Sequence, residues 1–340
     1  MTLQILWFIL WGVLWIGYFV LDGFDLGTGM LYPFLSKDET GRMAVRRSIG
    51  PVWDGNEVWL ITAGGATFAA FPAVYASLFS FLYTALLLVL FSLIIRGVSL
   101  EFRSKAPGSR WARTWDAGIF VGSALPALLF GVAFGNIFRG LPFDAAGYHG
   151  SLLALLNPYG LITGLLFVDL FIVHGALWVA IKVEGDAGDR ALRTANQFWP
   201  GLIVVAAAFL ALTPRLTNLE DNYVAAPYLA VVPLLAVAAL AMIKVCAAKK
   251  LAWNAFLASA LTIGLTVAAG LIGLYPNMLP SRTDPAASLT IFNSSSTPLT
   301  LKIMTIVALV FVPVVIAYQI WVYRVFRKKI APNDPSYDVY

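Results

Sequence analysis

Eight stretches of this chain stay apolar for the length that a helix needs to cross a lipid bilayer. Crossing about 30 Å of hydrocarbon at 1.5 Å per residue takes roughly 20 residues. In round limits the stretches are 4–34, 73–97, 116–138, 158–182, 199–213, 226–247, 253–275 and 302–326. The fifth is short in its apolar core and is expected to extend at both ends. Hydrocarbon offers backbone polar groups no partner, so such segments must close their hydrogen bonds within themselves, as helices. Composition agrees: 12% of the 340 residues are charged and 60% hydrophobic, with mean hydropathy +0.81. A soluble domain carries about 25% charged residues. Half that charge cannot coat a water-facing surface, but it suffices for a lipid-facing one. The chain reads as an all-α integral membrane protein.

A ninth segment, 51–71, holds Asp54, Asn56 and Glu57 in its first turns, and the loop charges decide how to read it. If it spans, nineteen of the 23 Lys and Arg fall on one side, in 37–47, 96–113, 182–193, 244–250 and 324–329. Arg139, Arg215, Arg282 and Lys302 are left on the other. If it does not span, the four basic residues of 37–47 change sides and the bias weakens. Basic loops favour the cytoplasm, so the reading is a polytopic bundle of about nine transmembrane helices. Its N-terminus is periplasmic and its C-terminus cytoplasmic. Residues 1–330 form one bundle, and 331–340 a short cytoplasmic tail. The apolar run from Leu3 passes Gly17 with no basic leader before it and no small-residue cleavage site, so it reads as a retained first span.

The formal charge of +5 sits in short loops between apolar spans, which is a membrane-topology pattern and not a nucleic-acid one. A single cysteine, Cys246, excludes an internal disulfide and any multi-thiolate metal site. No phosphate-binding Gly loop, nucleophile elbow or metal-ligand spacing is present.

An ionisable side chain within a span costs roughly 2.5–3.5 kcal/mol on the insertion scale and needs a reason to be there. The first span contains Asp22-Gly-Phe-Asp25, two carboxylates at i and i+3 on one helix face. Gly23, Gly27 and Gly29 lie on or near that face and would admit a neighbouring backbone. The ninth segment opens Pro51-Val-Trp-Asp-Gly-Asn-Glu57, which again places Asp54 and Glu57 three apart, with Asn56 and the first-turn amides as hydrogen-bonding support. Both pairs lie toward the cytoplasmic side, which suggests a polar path into the membrane from there, with Trp53 and Trp59 as its walls. The competing structural reading makes Asp22 a hydrogen-bonding anchor and Glu57 an interfacial charge paired with Arg46 or Arg47. Asp25 and Asp54 are the stronger functional candidates.

Other residues carry weaker signals. Asp169 and His174 lie about 140° apart around one helix and do not share a face. His174 is the one histidine within a span; His149 sits in an outside loop with Asp144 and Tyr148. A haem held by two histidines is not available, so no haem is assigned to this chain. Trp7, Trp11 and Trp15 form one ridge, read as packing against a partner and anchoring at the interface. Arg96, Lys244 and Arg324 are expected to snorkel from span ends.

The segments Asp22-Gly-Phe-Asp-Leu-Gly-Thr-Gly-Met30 and Pro51-Val-Trp-Asp-Gly-Asn-Glu-Val-Trp-Leu-Ile-Thr-Ala-Gly-Gly-Ala-Thr-Phe-Ala-Ala-Phe-Pro72 resemble the hallmark segments of subunit II of the cytochrome bd-type quinol oxidases. Arg103-Ser-Lys105, Arg113-Thr-Trp-Asp116, Gly131-Val-Ala-Phe-Gly-Asn136, Leu156-Asn-Pro-Tyr-Gly160, Tyr275-Pro-Asn-Met278 and Ser288-Leu-Thr290 match in order along nearly the whole chain. The short connection 214–226 resembles the compact, cyanide-insensitive-like forms.

The resemblance implies a haem-free subunit of a respiratory oxidase in a bacterial inner membrane. Its partner, subunit I, would hold haems b, b and d and the quinol site. The complex would oxidise quinol and reduce dioxygen to water with protons from the cytoplasm. A structural quinone in this chain and a small single-helix accessory subunit are further implications. The resemblance assigns Asp25 and Asp54 to proton uptake. Asp169 and His174 match no motif of the family, and Glu57 is Gln in some relatives. Two rival readings are a proton-coupled secondary transporter, which would show an inverted repeat, and a purely structural scaffold subunit.

Overall fold

A computed structural model describes residues 2–106 and 108–331; Met1, Pro107 and most of the expected cytoplasmic tail, 332–340, lie outside the described residues. The chain is a helix bundle with two short β-hairpins in its loops. Eight helices are long and apolar enough to cross a membrane. These are α1 (Thr2–Leu35), α5 (Tyr83–Phe102), α6 (Ser109–Arg139), α7 (Pro158–Lys182), α8 (Asp186–Leu216), α10 (Val231–Ala248, led in by a 3-10 turn from Pro227), α11 (Ala252–Leu274) and α12 (Pro298–Val325). Between α1 and α5 lie α2 (Glu39–Ile49), α3 (Trp53–Ala70) and α4 (Pro72–Phe81), and a five-residue helix α9 (Asp221–Ala225) follows α8.

The ends of these helices follow local chemistry. Asn157 accepts from the Gly160 amide with Pro158 at the first helical position of α7, and Thr297 with Pro298 opens α12 in the same way. Both pairs satisfy or remove amides that a helix start leaves unbonded. Asp38 caps α2 by accepting from Gly41. Pro126, Pro200 and Pro313 sit inside α6, α8 and α12, as membrane helices tolerate where neighbours re-satisfy the backbone.

The expected span 73–97 is two elements. The regular helix is interrupted at Leu82, which separates α4 from α5 by one residue. Phe81, the last residue of α4, stacks on Tyr148 at 4.9 Å between ring centroids and meets Phe143 in a tilted contact at 5.2 Å. These belong to the hairpin of β1 (Phe143–Asp144) and β2 (Gly147–Tyr148). The aromatic contact holds α4 at the loop end, so the long apolar helix begins only at Tyr83. Hydropathy alone could not find this break, because α4 is itself apolar.

Two ends of the bundle are distinct. At one, Arg46 Nη1 donates to Leu100 O at 2.7 Å, Arg190 Nε to Leu35 O at 2.7 Å, Trp178 Nε1 to Ser48 O at 3.0 Å, and Lys182 to Phe326 O. Lys244 Nζ reaches Asn196 Oδ1 at 3.2 Å. The basic segments 37–47, 96–113, 182–193, 244–250 and 324–329 therefore gather at this end. At the other, Gln4 bonds Ser295, the Ser296 amide bonds Ala70 O, and Asn222 bonds Ile272 O. There the strands β3 (Asn277–Leu279) and β4 (Leu289–Thr290) pair, and His149 Nε2 meets Asp144 Oδ1 at 2.8 Å. The hydrogen bond from His149 holds the Asp144 carboxyl below the usual carboxylate range. Helix α3 runs between the two ends: Asn56 touches the Leu21 carbonyl, and Ala70 meets the loop before α12. Its first turns, with Asp54, Asn56 and Glu57, are more polar than the apolar windows of the eight.

Helix α7 is the centre, with 72% of its apolar window buried against 11% for α8 and 6% for α12. Backbones come close where side chains vanish. A Cβ on Gly27 would fall 1.7 Å from Phe171 O and 3.0 Å from the Cα of Gly175, so α1 and α7 touch main chain to main chain. Gly27 thus does what its spacing suggested, whereas Gly23 meets the Phe171 ring and Gly29 the Ser123 side chain. Gly27→Val should force α1 and α7 apart at a cost of several kcal/mol, above the ~1–3 kcal/mol of ordinary overpacking. Gly201→Ala, where the nearest atom is 4.0 Å away, should be near neutral. Thermal midpoints of the two purified variants check this; equal midpoints would remove the close-contact argument.

Candidate functional site

The first span presents Tyr18, Asp22 and Asp25 at spacings of four and three, on one face, and all three are fully buried. Across from them α5 contributes Arg96, α3 contributes Asn56 and Glu57, and α12 contributes Gln319 and Tyr323. Arg96 Nη2 donates to Asp22 Oδ1 at 2.6 Å and also to Glu57 Oε1. Its side chain is 1% exposed, that of Asp22 0% and that of Glu57 21%. Asn56 Nδ2 donates to Asp25 Oδ2 at 2.7 Å and to Leu21 O at 3.3 Å. Its own Oδ1 accepts from Tyr323 Oη at 2.9 Å. Trp59 Nε1 donates to Gln319 Oε1 at 3.1 Å. Asp25 Oδ1 has no hydrogen-bond partner among the described residues.

The site therefore unites Asp22, Asp25, Asn56 and Glu57, and separates Asp54 from them. Asp54 is exposed on the open side of α3, with no side-chain hydrogen bond or ion pair among the described residues. The i, i+3 pairing read for Asp54 and Glu57 does not hold as a shared pocket, because Arg96 draws Glu57 toward α5 while Asp54 stays outside. Glu57 pairs with Arg96 and not with Arg46 or Arg47. Trp53 lies against Gly97, 3.1 Å from the place of a Cβ there, and Trp59 against Gly17, so both line the packing of α3 on its neighbours.

Arg96 is the main correction. It does not snorkel. It lies inside the bundle and bridges two carboxylates, because Gly122 of α6 lets the α5 backbone approach: a Cβ at Gly122 would lie 2.7 Å from Arg96 N. A lone Arg within an apolar helix, flanked by Ser92 and Ser99 on its own face, was the available sequence signal. Tyr18, Gln319 and Tyr323 were missed too, since nothing in their local pattern sets them apart. The Trp ridge is also corrected. Trp7 and Trp11 are buried within this chain, Trp7 Nε1 donating to Leu301 O at 3.1 Å and Trp11 Nε1 to Thr67 Oγ1 at 2.9 Å. They tie α1 to α12 and α3 and do not face a partner.

His174 binds α11 and α1 together. Its Nδ1 lies 2.6 Å from Ser259 Oγ, its Nε2 3.0 Å from Val20 O, and its ring stacks on Phe256 at 4.4 Å. Asp169 faces α8 near Gly201. Among the described residues no group of three or more His, Cys, Asp or Glu could hold a metal ion. A cavity of about 230 Å³ lies among α7, α8, α10 and α11, walled by Leu166, Leu170, Leu202, Phe209 and Leu240, with Glu220 and Tyr223 at one end.

Comparison with known proteins decides the family. The family described as cytochrome bd terminal oxidase subunit II matches residues 3–326. The chain belongs to that family. Among its relatives is the cytochrome bd-I ubiquinol oxidase subunit 2 of Escherichia coli K12, 38% identical over 369 residues, covering 98% of this chain and 96% of that one. The cytochrome bd ubiquinol oxidase subunit 2 of Bacillus subtilis is 37% identical over 337 residues, covering 98% of each. A chain of the bd oxidase from Geobacillus thermodenitrificans superposes with a TM-score of 0.78 at 17% identity, covering 96% of this chain and 99% of that one, a likeness in fold alone. This subunit II is thus a multi-pass protein of the bacterial inner membrane and a component of an oxidoreductase complex.

Removing Arg96 leaves Asp22 buried and uncompensated, a change that typically costs about 3–5 kcal/mol. Arg96→Gln should lower the thermal midpoint of the solubilised complex sharply. Arg96→Gln combined with Asp22→Asn should recover much of the loss. An Arg96→Gln midpoint equal to wild type would show that the pair carries no such cost.

Proposed function

We propose that this chain, as subunit II of a cytochrome bd quinol oxidase, supports a haem-bearing subunit I and passes it protons from the cytoplasm. Asp25 and Asp54 are the relay, with Asp22 and Glu57 beside them and Asn56 and Trp53 in support. The basic end of the bundle is then cytoplasmic, by the positive-inside rule, and the nine-span topology with a periplasmic N-terminus follows. Haems b, b and d belong to subunit I, where quinol is oxidised and dioxygen reduced to water.

The observation that carries this reading is the group Asp22, Glu57 and Arg96, joined by short bonds inside the bundle, with Asp25 buried three residues on and held by Asn56. Three carboxyls against one guanidinium let a proton enter by neutralising buried negative charge, not by adding positive charge to a low-dielectric interior. Glu57, one helical turn from Asp54, links the enclosed group to the exposed carboxylate. Asp54 stands on an open face of α3 together with Val58, Ile61 and Phe68, suited to hand protons across a subunit boundary.

Replacing Asp25 or Asp54 by Asn keeps size and removes titration. Each variant should lower quinol oxidase turnover by about tenfold or more while the haem spectrum of the complex stays near wild type. Full turnover in both would end the relay. Loss of haem together with activity would favour the scaffold reading.

The structural quinone implied by the family would fit the cavity among α7, α8, α10 and α11. Its apolar walls suit a ring and tail, and Glu220 Oε2 has no hydrogen-bond partner among the described residues. In the reduced quinol form, a ring hydroxyl would donate to it. Ala206→Trp, which fills this space, should strip quinone from the purified complex on organic extraction. Quinone retained at the wild-type ratio would put it elsewhere.

A further inference from the structure

The enclosed carboxyl group needs a connection to the basic end, which Asp54, on the open face of α3, does not supply. Three helices carry buried polar side chains along the line where they meet. On α5, Ser92, Arg96, Ser99 and Arg103 repeat at four, three and four, one face of the helix, and all are buried. On α1 the face of Tyr18, Asp22 and Asp25 continues through Gly29 to Tyr32. On α6, Asp116 and Ser123 lie two turns apart on a shared face. Gly29 and Gly118 bring these together. A Cβ on Gly29 would fall 2.0 Å from Ser123 Oγ, and one on Gly118 would fall 2.2 Å from Ser99 Oγ. Ser123 thus points at α1 and Ser99 at α6.

At the basic end the line finishes in an ionic group. Arg103 Nε donates to Asp116 Oδ1 at 2.8 Å, Arg103 also holds Glu39, and Arg42 reaches Asp116 Oδ2 at 3.1 Å. Glu39 is 56% exposed and Arg42 28%, so this end meets water. Tyr32 lies within electrostatic range of Arg103 and Asp116. At the inner end stand Arg96 and Asp22. By helical rise, Arg103 to Arg96 is only about 10 Å.

Three hydroxyls along this line are bonded to nothing among the described residues. Ser99 Oγ, Ser123 Oγ and Tyr32 Oη have no hydrogen-bond partner among the described residues, nor do Nε and Nη1 of Arg96 at its inner end. Serine and threonine in a membrane helix ordinarily bond the carbonyl four residues back, as Ser92 does to Leu88 O at 2.5 Å and Thr262 to Ala258 O at 2.8 Å. Ser99 and Ser123 do not. Both are 0% exposed and Tyr32 is 1% exposed. Buried polar groups are satisfied by protein or by water.

We propose that the seam between α1, α5 and α6 holds a chain of bound water, ordered by Ser99, Ser123 and Tyr32. This chain carries protons from the Glu39–Arg103–Asp116 group to Asp22 and Asp25. The proposal rests on the relay reading above and supplies its cytoplasmic mouth; Asp54 is then on the side where protons leave. Serine and tyrosine here are positioning residues, since the water does the carrying.

The test uses the intact oxidase complex with Ser99→Ala/Ser123→Ala and, separately, Tyr32→Phe, changes that remove hydroxyls at little cost in packing. Infrared spectroscopy follows hydrogen–deuterium exchange of the buried carboxyl band, assigned by its loss in Asp22→Asn and Asp25→Asn. The double serine variant should slow that exchange and turnover by about tenfold, with haem content and spectrum unchanged. Wild-type exchange in the serine and tyrosine variants, with Asp25→Asn impaired in turnover, overturns the seam and leaves the relay standing. Wild-type turnover in Asp25→Asn as well overturns both. Loss of assembled complex in the alanine and phenylalanine variants, with exchange unaltered in what remains, assigns these hydroxyls to structure and also overturns the proposal. A high-resolution density map of the complex gives a second reading: ordered water against Ser99 and Ser123 is expected, and a dry seam overturns it.

Discussion

A guanidinium enclosed by a membrane-embedded bundle sets the terms for everything around it. Arg96 cannot be deprotonated in practice, so its charge must be answered where it lies. Asp22 and Glu57 answer it, one from α1 and one from α3. That requirement fixes three helices relative to one another. It fixes the depth of α5 against α1, since a slide of one turn, about 5.4 Å, would separate Arg96 from Asp22. It also explains why Gly122 stands opposite, because a larger residue would hold α6 off the α5 backbone.

The second organising constraint is close backbone approach. Without a hydrophobic drive between helices in lipid, association depends on van der Waals contact and polar bonds. Gly27 against Gly175 joins α1 to α7, and Gly131 against Gly164 joins α6 to α7. These contacts make α7 the hub and leave α8 and α12 at the margin. The margin is apolar: Leu309, Phe311, Val314 and Trp321 of α12 are well exposed. Such surface is stable only against lipid or another membrane subunit, which fits a chain whose family is a subunit of a larger oxidase.

The polar residues then fall into two kinds. His174, Trp7, Trp11 and Asn136 are bonded fully enough to act as fasteners between elements. Asp25, Arg96, Ser99, Ser123 and Tyr32 retain bonding capacity that the protein does not use. A static scaffold has no need of the second kind, and its concentration along α1, α5 and α6 is what makes this side of the bundle chemically distinct.

The sequence by itself determined the class of molecule, its family and the long apolar helices, and it singled out Asp22, Asp25, Asp54 and Glu57 as candidates. Hydrophobic length, basic loops and carboxylate spacing are one-dimensional properties, set by bilayer thickness and helical rise. It did not determine who faces whom. Arg96 read as a snorkelling residue because its burial depends on a glycine 26 positions later in another helix. Asp54 and Glu57 read as a pair because helical spacing fixes a face but not what that face meets. The break at Leu82 was invisible because aromatic contacts with a distant hairpin, not hydropathy, end α4. Pairing across helices depends on rotation and depth, and only the packed bundle supplies those.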